Sequence, residues 1–208
     1  MTDKYELVSV VVGPIQTNCY LLADAGSKKT LIIDPGDDAP IIIKRLEYHK
    51  FIPVAIVNTH GHADHITANG QLKKVYNIPI YIHKADGEYL NDPELNYSAP
   101  NGVSITSPKA DHLVKGGDII EVGDLKVKVI DSPGHTPGGI LLMCEDLLFT
   151  GDTLFCGDIG RSDLPGGDQD TLANSLKIFK TLSPTFKIYP GHGSACILSE
   201  EFKHNPYL

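Results

Sequence analysis

The sequence predicts an α/β fold in which two β-sheets pack face to face and helices cover their outer sides. Short apolar runs, many of them rich in β-branched residues, recur along the whole chain and are typical of buried strands. Segments with the apolar spacing of helices separate these runs at a few places. Because one series of strands with a helix is followed by a second such series, two packed sheets with helices outside account best for the order.

The predicted strands are spread from the N-terminus to the C-terminus. They cover residues 7–12, 19–22, 30–33, 54–58, 80–82, 126–130, 140–143, 147–150 and 186–189. In the segment 126–130, apolar residues alternate with lysines, which is typical of a strand with one face in solvent. Asp146 lies between two of the apolar runs, and this spacing indicates a hairpin turn.

The helical segments are predicted at residues 40–49, 67–76 and 171–182. Pro40 suits the first turn of a helix, where its missing N–H costs no hydrogen bond. In the last segment, Leu172, Leu176 and Phe179 have helical spacing and predict a face packed on the core. Asp168 is the expected N-cap of that helix.

The segment 86–115 is polar, rich in proline and glycine, and without a regular pattern. A loop of this length inside a compact domain usually has a functional role. We therefore expect the segment to form a wall or a lid over the functional site.

Length and charge limit the classes of function. The 208 residues fit a single domain, which we expect to span residues 1–208. The formal net charge is −8 and the sequence has no basic stripe, so neither a nucleic acid nor a membrane is an expected partner. The first residues lack the features of a signal peptide, and no apolar run approaches the roughly 18 residues of a membrane helix. These features predict a cytoplasmic protein.

The four cysteines are Cys19, Cys144, Cys156 and Cys196, and they form no C-x-x-C pair. This spacing argues against a zinc knuckle or a dithiol redox motif. Cys19 and Cys144 lie in strand-like runs and are expected to be small buried residues. Cys156 follows Asp152 and can approach the site, but a reduced thiol without a role there is the preferred expectation.

The segment 59–65, with the sequence THGHADH, concentrates side chains that bind metals. It follows an apolar run, so it lies where a strand ends and a helix begins, an edge at which α/β folds place ligands. His60 and His62 are two residues apart and share one face of an extended segment. Asp64 and His65 follow at the turn and can face a second point nearby. One short segment can thus serve two metal ions.

Further loops carry the same chemistry at strand ends. His135 lies in the turn SPGHTPG, Asp152 in TGD, and His192 in PGHG. Glycine and proline neighbours make such turns rigid and leave room beside the aimed side chain. Imidazoles and carboxylates without a thiolate suit zinc, with iron or manganese as alternatives.

These motifs, in this order, resemble those of the metallo-β-lactamase superfamily over nearly the whole chain. The resemblance implies an αββα sandwich of two mixed β-sheets flanked by helices. It also implies the ligands of two divalent metal ions. These are His60, His62 and His135 for one ion, Asp64, His65 and His192 for the other, and Asp152 shared by both together with a water or hydroxide.

Two further residues are candidates beside the ligand set. Asp34 matches a family position that supports the site through hydrogen bonds, although a simple turn aspartate accounts for it equally well. Arg161 is a candidate anchor for a substrate carboxylate, and an ion pair with Asp158 or Asp163 is the alternative.

Within the superfamily, the segment 151–167 and the last residues, 204–208, are similar to short hydroxyacylglutathione hydrolases, the glyoxalase II group. The resemblance implies hydrolysis of a small thioester by a metal-bridging hydroxide, with Asp64 and Asp152 as the catalytic residues. Full-length members carry a C-terminal helical domain for glutathione, and we expect none in this chain. No motif specifies the acyl group, the thiol carrier or the oligomeric state.

Rival functions remain within the same fold. The motifs also resemble persulfide dioxygenases, which hold one iron through the equivalents of His60, His135 and Asp152. Because the residues for a second ion are also present, hydrolysis is the preferred hypothesis and the iron oxygenase is the alternative. A secreted β-lactamase is disfavoured by the expected lack of a signal peptide and by Asp152, which belongs to the thioesterase-like branch. The acidic charge disfavours a nuclease, and the complete ligand set disfavours a non-enzymatic scaffold.

Overall fold

The N-terminal part of the chain builds a six-stranded mixed sheet. In the computed structural model, which describes residues 4–208, the strands of this sheet lie in chain order. They are β1 (Tyr5–Val12), β2 (Thr17–Asp24), β3 (Lys29–Ile33), β4 (Ile52–Val57), β5 (Ile80–His83) and β6 (His112–Val114). β1, β2 and β3 pair antiparallel, whereas β3 to β6 pair in parallel across longer connections.

The C-terminal part builds a second six-stranded mixed sheet. It starts with β7 (Ile119–Val122), β8 (Leu125–Asp131), β9 (Ile140–Cys144) and β10 (Leu147–Gly151). A small separate hairpin follows, made of β11 (Leu154–Phe155) and β12 (Asp158–Ile159). The sheet is completed by β13 (Lys187–Pro190) and β14 (Cys196–Ile197). In the spatial order β14-β13-β10-β9-β8-β7, β10 and β13 pair in parallel and the other neighbours pair antiparallel.

Helices connect the strands and cover the sheets. They are α1 (Ala39–His49), α2 (Ala63–Ile66), α3 (Asn69–Tyr76), α4 (Gln169–Leu176) and α5 (Leu198–His204), with 3₁₀ turns at Lys84–Leu90, Ala99–Asn101 and Lys177–Thr181. Pro40 lies in the first turn of α1, as predicted. The Asp168 carboxylate accepts a hydrogen bond from the Thr171 N–H and caps α4, as predicted. No helix within residues 4–208 has the length and apolar character needed to cross a membrane.

Buried apolar clusters hold the layers together. Between the two sheets, Leu22 and Phe149 belong to one large cluster. On the outer face of the first sheet, Ile42 of α1 and Leu72 of α3 pack in a second cluster. Phe179, just after α4, belongs to a third cluster on the outer face of the second sheet. The layers therefore follow the order helix, sheet, sheet, helix, and the predicted αββα sandwich is confirmed.

The structure corrects several element boundaries. The helix predicted at 67–76 starts earlier and is divided into α2 and α3, and the helix predicted at 171–182 ends in a 3₁₀ turn. The irregular segment 86–115 contains β6, a strand of three residues of which the first two, His112 and Leu113, are exposed. The two-residue strands β11, β12 and β14 are too short to show a periodic pattern.

The predicted reduced state of Cys156 is wrong. Cys156 forms a disulfide with Cys196 and ties the turn of the β11–β12 hairpin to β14. The two cysteines are 40 positions apart, and no spacing rule links segments that are so far apart in the chain. Cys19 and Cys144 are free and buried, as predicted.

Candidate metal centre

The candidate metal centre lies at one edge of the sandwich, where loops from both sheets meet. One loop follows β4 and runs into α2, and the other loops follow β8, β10 and β13. They bring together the side chains of His60, His62, Asp64, His65, His135, Asp152 and His192. The residues of all the sequence motifs therefore share one site.

The first cluster consists of His60, His62 and His135, whose ring nitrogens lie within 4.8 Å of one another. His62 Nδ1 and His135 Nε2 are 2.9 Å apart. The His135 ring is oriented by its Nδ1, which donates to the Arg161 carbonyl at 2.6 Å. Burial and the neighbouring imidazoles lower the pKa of His60 well below its usual value and lower the pKa of His62 to about 3. Both rings are therefore neutral near pH 7, the form that binds metals.

The second cluster consists of Asp64, His65 and His192. Asp64 Oδ2 lies 3.4 Å from His65 Nε2 and 3.2 Å from His192 Nε2, and the two nitrogens are 3.4 Å apart. These distances match the separation of roughly 3.3 Å between two ligand atoms of a tetrahedral ion when each ligand atom is about 2.0–2.1 Å from the ion. The Thr17 hydroxyl, at the start of β2, donates to Asp64 Oδ2 at 3.0 Å and helps to orient the carboxylate.

Asp152 lies between the two clusters. Its Oδ2 is 3.6 Å from His135 Nε2 and 3.5 Å from His192 Nε2. Its Oδ1 is 3.5 Å from His65 Nε2. The same carboxylate therefore faces nitrogen atoms of both clusters and can serve both.

Asp34 supports His65 from the side opposite the site. Asp34 Oδ2 lies 3.1 Å from His65 Nδ1. The carboxylate also accepts the Thr59 N–H at 2.7 Å and the Thr59 hydroxyl at 2.6 Å, and it is buried. Of the two alternatives for Asp34, the structure therefore shows the contact with the site.

Negative charge is concentrated around His65. Burial alone favours the neutral ring, but Asp64, Asp152 and Asp34 outweigh it and raise the pKa of His65 to about 10. Burial likewise opposes ionisation of Asp64, but His65 and His192 outweigh it and hold the pKa of that carboxyl below its usual range. The arrangement favours a cation at this point of the site.

The donor set fits divalent metal ions. Among the described residues, buried His60 Nε2 and Asp152 Oδ1 have no hydrogen-bond partner. Unpaired polar atoms in the interior cost free energy unless another group satisfies them. A cation held between the histidines and carboxylates supplies that partner, and imidazole with carboxylate suits zinc, iron or manganese.

Asp86 is a site residue that the sequence interpretation missed. Its fully buried carboxylate accepts the Gly61 N–H at 2.9 Å, the Thr136 hydroxyl at 2.7 Å and the Gly138 N–H at 2.6 Å. Asp86 thus ties the THGHADH loop to the loop that carries His135. Its position just after β5 was the available signal, because the other site loops also follow strands.

A cavity of about 780 Å³ opens beside the two clusters. Residues between 96 and 105 line one side of it. They belong to the segment 91–110, here called the wall segment, in the region where a wall or lid was expected. The Asn96 carbonyl accepts the Ala63 N–H at 3.0 Å, next to the metal cluster. The Asn96 side chain donates to the carbonyls of Tyr89 at 3.1 Å and Ile105 at 2.9 Å. These bonds brace the segment as a wall.

Arg161 lines the same cavity. Its guanidinium donates to the Asp163 carboxylate through two hydrogen bonds of 2.6 Å each. The structure therefore shows the ion pair with Asp163, one of the expected alternatives, and not a free guanidinium.

Residues 12–192 match the family described as the metallo-β-lactamase superfamily. The chain belongs to this superfamily. The membership confirms the resemblance drawn from the motifs, and it agrees with a His/Asp site for divalent metal ions at the loops of this fold.

Relatives of this metallo-β-lactamase superfamily member cover almost its whole length. The chain is 36% identical over 201 residues to the probable metallo-hydrolase YqgX of Bacillus subtilis, with 95% of this chain and 94% of the relative covered. It is 33% identical over 206 residues to the hydroxyacylglutathione hydrolase GloC of Haemophilus influenzae, with 96% of each covered. The superfamily membership and the named metallo-hydrolases agree with a hydrolase.

Solved structures of the superfamily superpose closely. The BLEG-1 B3 metallo-β-lactamase gives a TM-score of 0.93 at 38% identity and covers 98% of this chain and 99% of its own. TTHA1623 in a di-iron-bound form gives a TM-score of 0.87 at 33% identity, with 97% of this chain and 100% of TTHA1623 covered. ETHE1 from Myxococcus xanthus gives a TM-score of 0.82 at 27% identity, with 97% of this chain and 83% of ETHE1 covered. One similar structure thus carries iron, so the fold alone does not identify zinc.

Proposed function

We propose that this protein is a metal-dependent hydrolase that cleaves a small thioester at a centre with two metal ions. The position of Asp152 carries the proposal, because its carboxylate lies within 3.6 Å of nitrogen atoms in both histidine clusters. Similarity to a hydroxyacylglutathione hydrolase supports the thioester as substrate class. Zinc is the proposed metal, with iron or manganese as alternatives, and the cytoplasm is the proposed location.

The proposed ligands follow the two clusters. His60, His62 and His135 would hold one ion, Asp64, His65 and His192 would hold the other, and Asp152 would be shared by both. When bound, divalent ions at such a site lower the pKa of a water ligand and polarise a substrate carbonyl.

The chain's own residues then orient the reactants. Asp64 and Asp152 are the proposed catalytic residues. Asp152 faces nitrogen atoms of both clusters, and Asp64 Oδ2 faces the His65 and His192 rings of the second cluster. The Thr17 hydroxyl, which donates to Asp64 at 3.0 Å, keeps that oxygen in place. The leaving group of a thioester is a thiolate, which departs without a strong general acid because thiols are fairly acidic.

Hydrolysis of β-lactams is a second candidate function. The high similarity to the structure named BLEG-1 B3 metallo-β-lactamase favours it. The leaving nitrogen of an amide is far more basic than a thiolate and has to be protonated. A thioester therefore makes a smaller demand for a general acid on a site whose carboxylates and imidazoles are proposed to hold metal ions.

The test compares substrates on purified, metal-loaded protein. We expect turnover of S-D-lactoylglutathione or a simpler thioester, slower turnover of a chromogenic cephalosporin, and two metal ions per chain. Asp152→Ala should lose hydrolysis and bound metal together. Asp118→Ala, at a turn remote from the site, is the matched control and should retain both.

Other outcomes separate the alternatives. Full activity and metal content in Asp152→Ala would exclude the shared role of this carboxylate. One iron per chain, with oxygen consumption in the presence of a persulfide, would replace the hydrolase with the oxygenase. Preferred cleavage of the cephalosporin would establish the second candidate.

A further inference from the structure

We infer that the cavity beside the metal centre selects thioesters with an uncharged, apolar substituent and disfavours highly charged conjugates such as those of glutathione. The inference rests on the proposed thioester hydrolysis and specifies its substrate class. It follows from the side chains that line the cavity and from their charges.

Apolar side chains from three separate segments meet at the cavity. Ile15 comes from the turn between β1 and β2, Val103 and Ile105 from the wall segment, and Phe155 from the β11–β12 hairpin. Ile15 is 60% exposed and Val103 is 51% exposed, although both are large apolar residues. A single exposed apolar residue is ordinary, but a group of them around a concave site indicates a surface for an apolar ligand.

The charged residues that line the cavity also favour an uncharged substrate. Among the described residues that line it, Arg161 is the one lysine or arginine. Its guanidinium already donates two hydrogen bonds of 2.6 Å to Asp163. Asp37 adds a negative charge to the lining. Glutathione carries two carboxylates, so at least one of them would lie here without a lysine or arginine as its partner.

The apolar surface exists before a substrate binds. The Asn96 side chain joins the carbonyls of Tyr89 and Ile105, and so it fixes the part of the wall segment that carries the apolar residues. Because the surface is preformed, binding costs little free energy for ordering its side chains. Added apolar contact with the substrate therefore increases affinity and favours substrates with larger apolar groups.

The apolar group can belong to the acyl part or to the thiol part of the thioester, and two substrate series distinguish these sources. The first varies the acyl chain from acetyl to butanoyl to hexanoyl on N-acetylcysteamine, a neutral thiol. The second varies the thiol from ethyl to butyl to hexyl in S-alkyl thioacetates. In one of the series, kcat/KM should rise about two- to fourfold per added methylene until the cavity is filled. S-D-lactoylglutathione should be at least tenfold poorer than the best member.

Val103→Asp tests the surface itself, and Val75→Asp is the matched control. Val75 is 53% exposed on α3 and does not line the cavity. Val103→Asp should remove the rise of kcat/KM with chain length, whereas Val75→Asp should keep it. Calorimetry with a non-cleavable hexyl thioether measures binding directly. The thioether should bind the parent and the Val75→Asp control with similar affinity, and its affinity for Val103→Asp should be at least tenfold lower.

The outcomes separate this inference from the proposed function. If neither the two series nor S-D-lactoylglutathione is cleaved by metal-loaded protein, the proposed function fails and the inference fails with it. If thioesters are cleaved but kcat/KM is independent of chain length, or S-D-lactoylglutathione is preferred, the inference alone is overturned. An unchanged chain-length dependence in Val103→Asp would overturn it as well.

Discussion

Replacing Asp86 with asparagine tests whether one buried carboxylate holds two loops of the metal site together. Asp86 Oδ2 accepts the Gly61 N–H and the Thr136 hydroxyl, and Oδ1 accepts the Gly138 N–H. Asparagine keeps the shape but replaces one oxygen with an NH₂ group. At least one of the three donors then loses its acceptor and faces another donor.

The magnitude follows from burial. Asp86 is fully buried, and a buried donor left without an acceptor costs about 1–3 kcal/mol. Because two of the three donors share the Oδ2 position, we expect the amide oxygen to occupy it and to accept from Gly61 and Thr136, so that the NH₂ group faces the Gly138 N–H. The free energy of unfolding of the metal-free protein should therefore fall by about 1–3 kcal/mol in Asp86→Asn. Asp86→Ala removes every acceptor and should cost at least about 3 kcal/mol.

Urea denaturation in the presence of a chelator, followed by circular dichroism, measures the effect without a contribution from bound metal. A titration with a metal-sensitive dye then tests the site, and weaker metal binding is expected because the loops of His60 and His135 lose their common anchor. Asp118→Asn is the control, since the Asp118 carboxylate accepts the Lys115 N–H at a surface turn. It should change stability by no more than about 0.5 kcal/mol. Equal urea midpoints and equal metal affinity for Asp86→Asn and the control would refute the reasoning.

Two further substitutions and the reduction of one disulfide test other supports of the site. Asp34→Asn weakens the acceptor of a ligand histidine and should lower metal affinity roughly 10–100-fold in a dye competition; unchanged affinity would contradict the support role. The disulfide between Cys156 and Cys196 spans 40 positions, so its reduction should lower the free energy of unfolding by up to about 4 kcal/mol. A protein whose urea midpoint is insensitive to reductant would show that the bond does not form in solution. Gly191→Ala places a methyl group against two proposed ligands and should lower metal content. Gly26→Ala is the control, since the added methyl group makes only an ordinary contact with Asp24, and it should not lower metal content.

The metal motifs could be predicted from sequence because each is a local signal. His135 and His192 sit in short turns of glycine and proline, and such turns fix the direction of a side chain within a few residues. Strand ends at one edge of a sheet are close in space, so motifs that follow strands meet even when they are far apart in the chain. The long apolar strands were predicted for a similar reason, since burial on both faces leaves a continuous apolar run.

The missed features depend on contacts between distant segments. The position of Asp86 after β5 indicates the edge of the sheet, but its partners Gly61 and Gly138 lie 25 and 52 positions away, so the local sequence does not indicate which donors it serves. Thr17 contacts Asp64 across 47 positions, and Cys156 meets Cys196 across 40. Such pairs are defined by the packing of the layers, and they leave no periodic trace in the sequence.

The proposed ligands come from loops of both sheets, so the two halves of the sandwich have to be together before an ion is fully bound. Binding to the folded state alone adds about 2.7 kcal/mol of stability at a free metal concentration of one hundred times Kd. Resistance of the protein to proteases should therefore follow the supply of free metal around it. Under metal starvation a cell would lose this protein through degradation as well as through inactivity, and its abundance would report the metal status of the compartment.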